Sequence, residues 1–182
     1  MAQIRIIAGD WKGRRLAVPD LPGLRPTADR NRETLFNWLQ FELAGRRVLD
    51  AFAGTGSLGL EALSRGASSV VFWEHNRQAV RQLKQNLSIL QAGTRARVQQ
   101  GDALRFINTT TEQFDLIFLD PPFRRGLLEQ ATRLLSQSPA ILPDALIYLE
   151  AGQDEPLELP AHWQVEREKV SGQVRYQLCR RL

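Results

Sequence analysis

Residues 48–59 read VLDAFAGTGSLG: two apolar residues, Val48 and Leu49, then Asp50, then a loop carrying Gly54, Gly56 and Gly59, then a helix-like run over 60–65. A strand that turns this sharply into a helix needs positive φ, which glycine adopts without a Cβ clash, and a bare backbone lets a ligand come close. The helix start adds oriented N–H groups. The stretch therefore predicts a nucleoside-containing ligand at the end of a central parallel strand. The glycines also satisfy G-x-G-x-x-G with Glu74 twenty residues after Gly54, so the dinucleotide fingerprint remains open at this point.

The rest of the chain alternates around that stretch. Residues 4–8 and 14–18 predict a small hairpin with Trp11, Lys12, Arg14 and Arg15 near its tip. Trp11 can pack beneath the hairpin or stack on a base, and the first is favoured. A Pro/Gly loop over 19–26 leads to a helix that Thr27 can cap, with Leu35, Trp38 and Leu39 as its inward face. Strands are predicted over 69–73, 96–100, 114–119 and 145–149, and amphipathic helices after Asn76 and Gly126. The near-continuous apolar run 114–119 reads as a strand buried on both faces. Residues 162–170 and 173–181 form a closing hairpin about Ser171-Gly172. Alternating strands and helices predict an open parallel α/β sheet with helices on both faces and an antiparallel edge.

At 182 residues the chain is sized for one domain, 1–182, with a basic N-terminal extension over 1–45 and a Rossmann-like core over 46–182. The net charge of +4 sits in the N-terminal quarter: residues 1–47 hold nine Lys/Arg and five Asp/Glu, and the fifteen of each sign beyond them cancel. Such a segment suits a polyanion such as nucleic acid, or a plain solvated surface. One cysteine, Cys179, offers no internal disulfide, and it reads as buried core. The two histidines, His75 and His162, stand in no metal-ligand spacing, so no metal is expected. No apolar run is long enough for a bilayer and the start lacks an apolar signal core, which points to the cytoplasm.

Asp50, Glu74, Asp102 and Asp120 each follow a predicted strand at its C-terminal end. In an open α/β sheet those ends border the ligand crevice. Carboxylates there repel a pyrophosphate and attract a cation, one pair at roughly 4 Å contributing about 4 kcal/mol at an effective dielectric near 20 before desolvation. S-adenosylmethionine has a sulfonium, an ammonium and a ribose diol suited to such acids.

Asp120-Pro121-Pro122-Phe123 follows the most apolar strand. Two prolines set the loop's φ angles and remove two donors, so a carbonyl after Asp120 can face the crevice rigidly. The Asp120 carboxylate and the Pro121 carbonyl can hold the N–H groups of an exocyclic amine and aim its lone pair at a methyl donor. Phe123 offers a face for the base, which must leave its stack to reach it.

Asp-Pro-Pro-Phe is similar to the signature of S-adenosylmethionine-dependent amino-methyltransferases, and DAFAGTG, Glu74 and Gly101-Asp102-Ala103 resemble the cofactor segments of that class. Residues 23–39, 58–67, 120–129 and 168–176 extend the resemblance to the RsmD family of 16S rRNA guanine-N2 methyltransferases over nearly the whole chain. The resemblance implies the class I methyltransferase fold, a mostly parallel seven-stranded sheet with an antiparallel C-terminal edge hairpin, plus a small N-terminal β-hairpin and helix. It implies Asp50, Phe52, Gly54 and Gly56 around the methionine part of the cofactor, Glu74 on the ribose, Asp102 and Ala103 at the adenine, and Asp120, Pro121, Pro122 and Phe123 at the target amine. Arg25, Arg30 and Arg32, with Arg124 and Arg125, are the implied RNA contacts. The implied substrate is 16S rRNA in an assembled small subunit, met by a monomer. Rival readings are adenine N6 of DNA or a protein glutamine as target, an NAD-dependent oxidoreductase, and a non-catalytic RNA-binding protein.

Overall fold

The computed structural model describes residues 2–24, 29–123 and 125–182. Strands β1 (Ala2–Arg5) and β2 (Arg15–Val18) form an antiparallel hairpin whose Ile4, Leu16 and Val18 point inward. Strand β1 ends three residues earlier than its apolar run predicts. Ile7 and Ala8 give their N–H groups to the Glu61 carboxylate, at 2.8 and 3.1 Å, instead of to a strand partner.

Helix α1 (Asp29–Leu39) buries Leu35, Phe36 and Leu39, and Trp38 is half-buried. Then come β3 (Arg47–Asp50), α2 (Ser57–Ser64), β4 (Ser69–Glu74), α3 (Arg77–Ile89), β5 (Ala96–Gln100), α4 (Ala103–Thr109), β6 (Phe114–Leu119), α5 (Leu127–Ser136), β7 (Ile141–Gly152), β8 (Trp163–Ser171) and β9 (Val174–Arg181). Asn76 caps α3 as its sequence position predicts, accepting from the N–H groups of Gln78 and Ala79. Thr27, the expected cap of α1, lies outside the described residues.

Seven strands form one sheet in the order β5-β4-β3-β6-β7-β9-β8. The pairs from β5 to β7 are parallel, and β9 is antiparallel to both neighbours. The closing hairpin is thus inserted second strand first: β9 lies inside the sheet and β8 forms the edge. Burial explains this order, because residues 176–179 of β9 are all buried whereas β8 is largely exposed. The run in β7 is also longer than the predicted 145–149, since it keeps pairing with β9 as far as Gly152↔Val174.

Period-two alternation divides the core between the two faces. Val48, Leu116, Phe118, Leu146 and Tyr148 pack against α1, α2, α3 and the N-terminal hairpin. Leu49, Ile117, Leu119, Ile147 and Leu149 pack against α4 and α5. Trp11 is half-buried against the first of these cores, with the Arg95 guanidinium 6.0 Å from its ring centre, in the packing role favoured above. The strand order reverses between β4 and β6 on either side of β3, which opens a crevice beyond the C-terminal ends of β3 and β6. Among the described residues no helix is long and apolar enough to cross a membrane.

Candidate active site

The glycine loop after β3 is built from three different requirements. Gly54 and Gly56 have φ of 56° and 83°, in the left-handed region that disfavours side chains. A Cβ on Gly56 would also lie 2.5 Å from the Leu83 side chain. Gly59 has no such φ, but a Cβ there would stand 2.3 Å from the Phe72 ring, so this glycine lets α2 lie close on β4.

Asp50 leaves β3 beneath this loop, 2% exposed, and accepts the Gly59 N–H at 3.0 Å. Burial pushes its carboxyl up to about 7; the Gly59 N–H opposes that, and the charges of Asp120 and Glu74 add to it. Glu74 ends β4 and is also buried. Its two oxygens accept the N–H groups of Gly54 at 2.8 Å and Asn76 at 2.9 Å, so it orders the glycine loop and the start of α3 together. A carboxylate has about four acceptor positions, which leaves capacity for a further donor pair.

Asp50, Glu74 and Asp120 are therefore brought together. Asp102 is not part of that group: it is exposed and caps α4, accepting the Leu104 N–H at 3.0 Å. The strand before it ends at Gln100, and a Cβ on Gly101 would meet the Phe106 ring at 2.3 Å. The turn at Gly101 thus carries Asp102 away from the buried acids, along the same edge of the crevice. Ala103 is buried beside it and Phe52 is half-buried on the α4 side.

Asp120 follows β6 directly and is half-buried. Pro121 is buried, while Pro122 and Phe123 are exposed, so the Phe123 ring is presented to solvent and not drawn into the core. The Asp120 side chain is hydrogen-bonded to Glu150, which the sequence reading did not select. Glu150 is 7% exposed and accepts the Tyr148 hydroxyl at 3.0 Å. Burial first, and then Asp120, push its carboxyl up to about 9. Its sequence signal was the one that marked the other acids, a carboxylate after an apolar run.

Among the predicted RNA contacts, Arg30 and Arg125 are exposed. Arg25 and Arg124 lie outside the described residues. Arg32 is a correction: it is 1% exposed and donates to Glu61, to Asp29 and to the Arg5 carbonyl. A guanidinium enclosed in this way serves the fold and does not reach RNA. A basic face absent from the prediction lies on α3, where Arg77, Arg81 and Lys84 are exposed at helical spacing along a groove that also includes Gln85, Ser88 and Gln100. Helix α3 contains no acidic residue.

The arrangement suits a cationic, nucleoside-containing ligand. Asp50 is a buried acid whose charged neighbours are themselves acids, so a cation placed there relieves their repulsion. The left-handed glycines open the backbone above it, and Glu74 is held to one side by the loop itself.

The chain matches the family model described as Conserved hypothetical protein 95 over residues 4–180. It is 50% identical over 180 residues to ribosomal RNA small subunit methyltransferase D of Escherichia coli strain K12, covering 98% of this chain and 90% of that protein. It is 47% identical over 179 residues to the protein of the same name from Haemophilus influenzae, covering 97% of this chain and 93% of the relative. The solved structure of yhhF from Escherichia coli superposes with a TM-score of 0.93 at 46% identity, covering 99% of this chain and 98% of that one.

Proposed function

The chain belongs to the Conserved hypothetical protein 95 family, with ribosomal RNA small subunit methyltransferase D among its members, and on that premise we propose that it methylates the exocyclic N2 amine of a guanine in 16S rRNA within the assembled small subunit. It is a small-subunit rRNA methyltransferase with the class I fold. The observation that carries the amine target is the placing of Asp120-Pro121-Pro122-Phe123 at the end of β6, beside Asp50 at the end of β3.

S-adenosylmethionine supplies the methyl group from its sulfonium when bound. Asp50, Phe52, Gly54 and Gly56 surround its methionine part, Glu74 accepts from the ribose hydroxyls, and Asp102 and Ala103 border the adenine. The Asp120 carboxylate and the Pro121 carbonyl accept the two amine N–H groups, which turns the nitrogen lone pair towards the donor and offsets the positive charge that develops on nitrogen. Buried Pro121 holds that carbonyl in place, and the exposed Phe123 ring stacks on the extruded base.

Arg30 and Arg125 contact the RNA, and the exposed row Arg77, Arg81 and Lys84 extends the cationic surface along α3. On this reading affinity for a naked oligonucleotide is low and the folded subunit supplies the shape that is read. An rRNA substrate of this kind supports a cytoplasmic enzyme, and we read it as a monomer. The test is transfer of labelled methyl groups to small subunits from a strain lacking this protein, followed by nuclease mapping. Label in N2-methylguanosine at one site supports the reading. Label in another nucleoside, or efficient methylation of protein-free rRNA, refutes it in target or in substrate state.

A further inference from the structure

Strands β6 and β7 pair in parallel with Leu119 opposite Leu149, so Asp120 and Glu150 are the next neighbours in register. Strand β6 stops there, whereas β7 continues to Gly152 because β9 still pairs with it, Glu150 opposite Tyr176. Glu150 therefore stands on a fixed strand immediately behind the more exposed Asp120, whose own backbone has already left the sheet.

Two tyrosines near Glu150 are held by their own contacts. Tyr148, on the same face of β7 and 1% exposed, donates its hydroxyl to Glu150 Oε2 at 3.0 Å. Tyr148 is clamped in turn by an edge contact with Phe118, ring centres 6.1–6.2 Å apart along the row Phe36, Phe118 and Tyr148. From β9, the Tyr176 hydroxyl accepts the Asn31 amide of α1 at 2.5 Å. Among the described residues, Asp120 from the end of β6 and Tyr148 from its own strand act on Glu150, Glu150 acts in turn on Tyr176 of β9, and Asp120 acts on Asp50.

Two carboxyls in hydrogen-bond contact cannot both be ionised without strong repulsion, so the pair shares one proton. Burial decides which acid keeps it. Glu150 is the more enclosed, and its burial outweighs the Tyr148 hydroxyl, which by donating to it favours the ionised form. We infer that Glu150 is a positioning residue for the reaction: its protonated carboxyl donates a hydrogen bond to Asp120, which holds the Asp120 carboxylate ionised and in the rotamer that meets the target amine. The inference rests on the amine-methylation reading above. Asp120 touches the substrate, and Glu150 acts through Asp120 alone.

The test compares Glu150→Gln, Glu150→Ala and Tyr148→Phe in the full chain, with methyl transfer to small subunits followed against pH and cofactor affinity measured by calorimetry. A glutamine amide donates to Asp120 and its carbonyl accepts from Tyr148, so Glu150→Gln keeps kcat within about threefold, whereas Glu150→Ala lowers kcat by about tenfold or more with KM and cofactor affinity unchanged. The parent loses activity as pH rises through about 9, where Glu150 ionises, and Glu150→Gln lacks that alkaline limb. The Tyr148 hydroxyl favours the ionised form of Glu150, so Tyr148→Phe moves the limb to higher pH. That variant carries the test if Glu150→Ala does not fold. A Glu150→Gln enzyme as impaired as Glu150→Ala, or an alkaline limb unmoved by Tyr148→Phe, overturns the inference. Full activity in Asp120→Ala overturns the amine-methylation reading beneath it and is a separate outcome.

Discussion

Arg32 donates a hydrogen bond to Glu61 at 3.2 Å, and both side chains are sealed from solvent at 1% and 0% exposure. Glu61 also accepts the N–H groups of Ile7 and Ala8 and pairs with Arg65. One carboxylate on α2 thus binds the N-terminal hairpin and α1 to the wall of the cofactor crevice. Gly9 completes this junction, since a Cβ there would lie 1.9 Å from the Ser64 carbonyl oxygen.

Removing either member of a buried ion pair leaves the other charge uncompensated. Glu61→Ala and Arg32→Ala are each expected to destabilise the fold by about 3–5 kcal/mol. Urea unfolding measures this, with Arg30→Ala, an exposed change on the same helix, expected to stay within about 0.5 kcal/mol of the parent.

On the proposed reading Asp120 and Glu74 serve different halves of the reaction, which makes them separable by kinetics. Asp120→Ala is expected to reduce kcat by about 10²–10³ with cofactor affinity retained. Glu74→Ala is expected to weaken cofactor binding by tenfold or more, roughly the loss of one charge-assisted hydrogen bond. It also lowers the melting temperature, because the Gly54 and Asn76 N–H groups lose their acceptor. Calorimetric titration alongside single-turnover assays distinguishes the two, and interchanged phenotypes would refute this division of roles.

Asp50 is expected to make cofactor binding depend on pH. Burial pushes its carboxyl up to about 7, and a cationic ligand favours the ionised form. Below that value binding must first remove a proton, so affinity is expected to rise by up to about tenfold per pH unit as pH approaches 7 from below, and to level off above it. Titrations in two buffers of different ionisation enthalpy should detect proton release near pH 6. Asp50→Asn should abolish the pH dependence while weakening binding overall.

The α3 face is expected to act through the RNA backbone. Arg77→Glu, Arg81→Glu and Lys84→Glu combined should raise KM for small subunits without changing kcat or cofactor affinity, and even neutralising the three should reduce the slope of log affinity on log salt by about 3. An unchanged salt slope would show that this face does not meet the substrate.

Much of the site was legible because strand ends are local facts. A buried strand reads as an apolar run, and the residue that ends it lies where β-sheet ligands bind, so Asp50, Glu74 and Asp120 could be placed from spacing alone. Asp102 was grouped with them because it follows a strand in the same way. The turn at Gly101 carries it out to cap α4 instead, and turn geometry at that scale is set by the packing of Phe106. Glu150 carries the same local signal, an acid after the apolar run 145–149, and what sets it apart, a strand that continues to Gly152 by pairing with β9, arises only when a segment starting twenty-four residues later meets it.

Periodicity and φ preference act over a few residues, so the class of fold, the glycine loop and the tetrapeptide 120–123 at the end of β6 were readable locally. The tertiary structure decided which charges are available. Arg32 became a buried partner of a residue 29 positions away, leaving Arg30 outside, and Glu150 became the neighbour of Asp120 across a strand boundary 30 positions long. The physical reason is the same in both cases. Whether a charge is solvated, paired or protonated depends on the desolvation and the neighbours it finds when distant segments meet, and no local spacing encodes those.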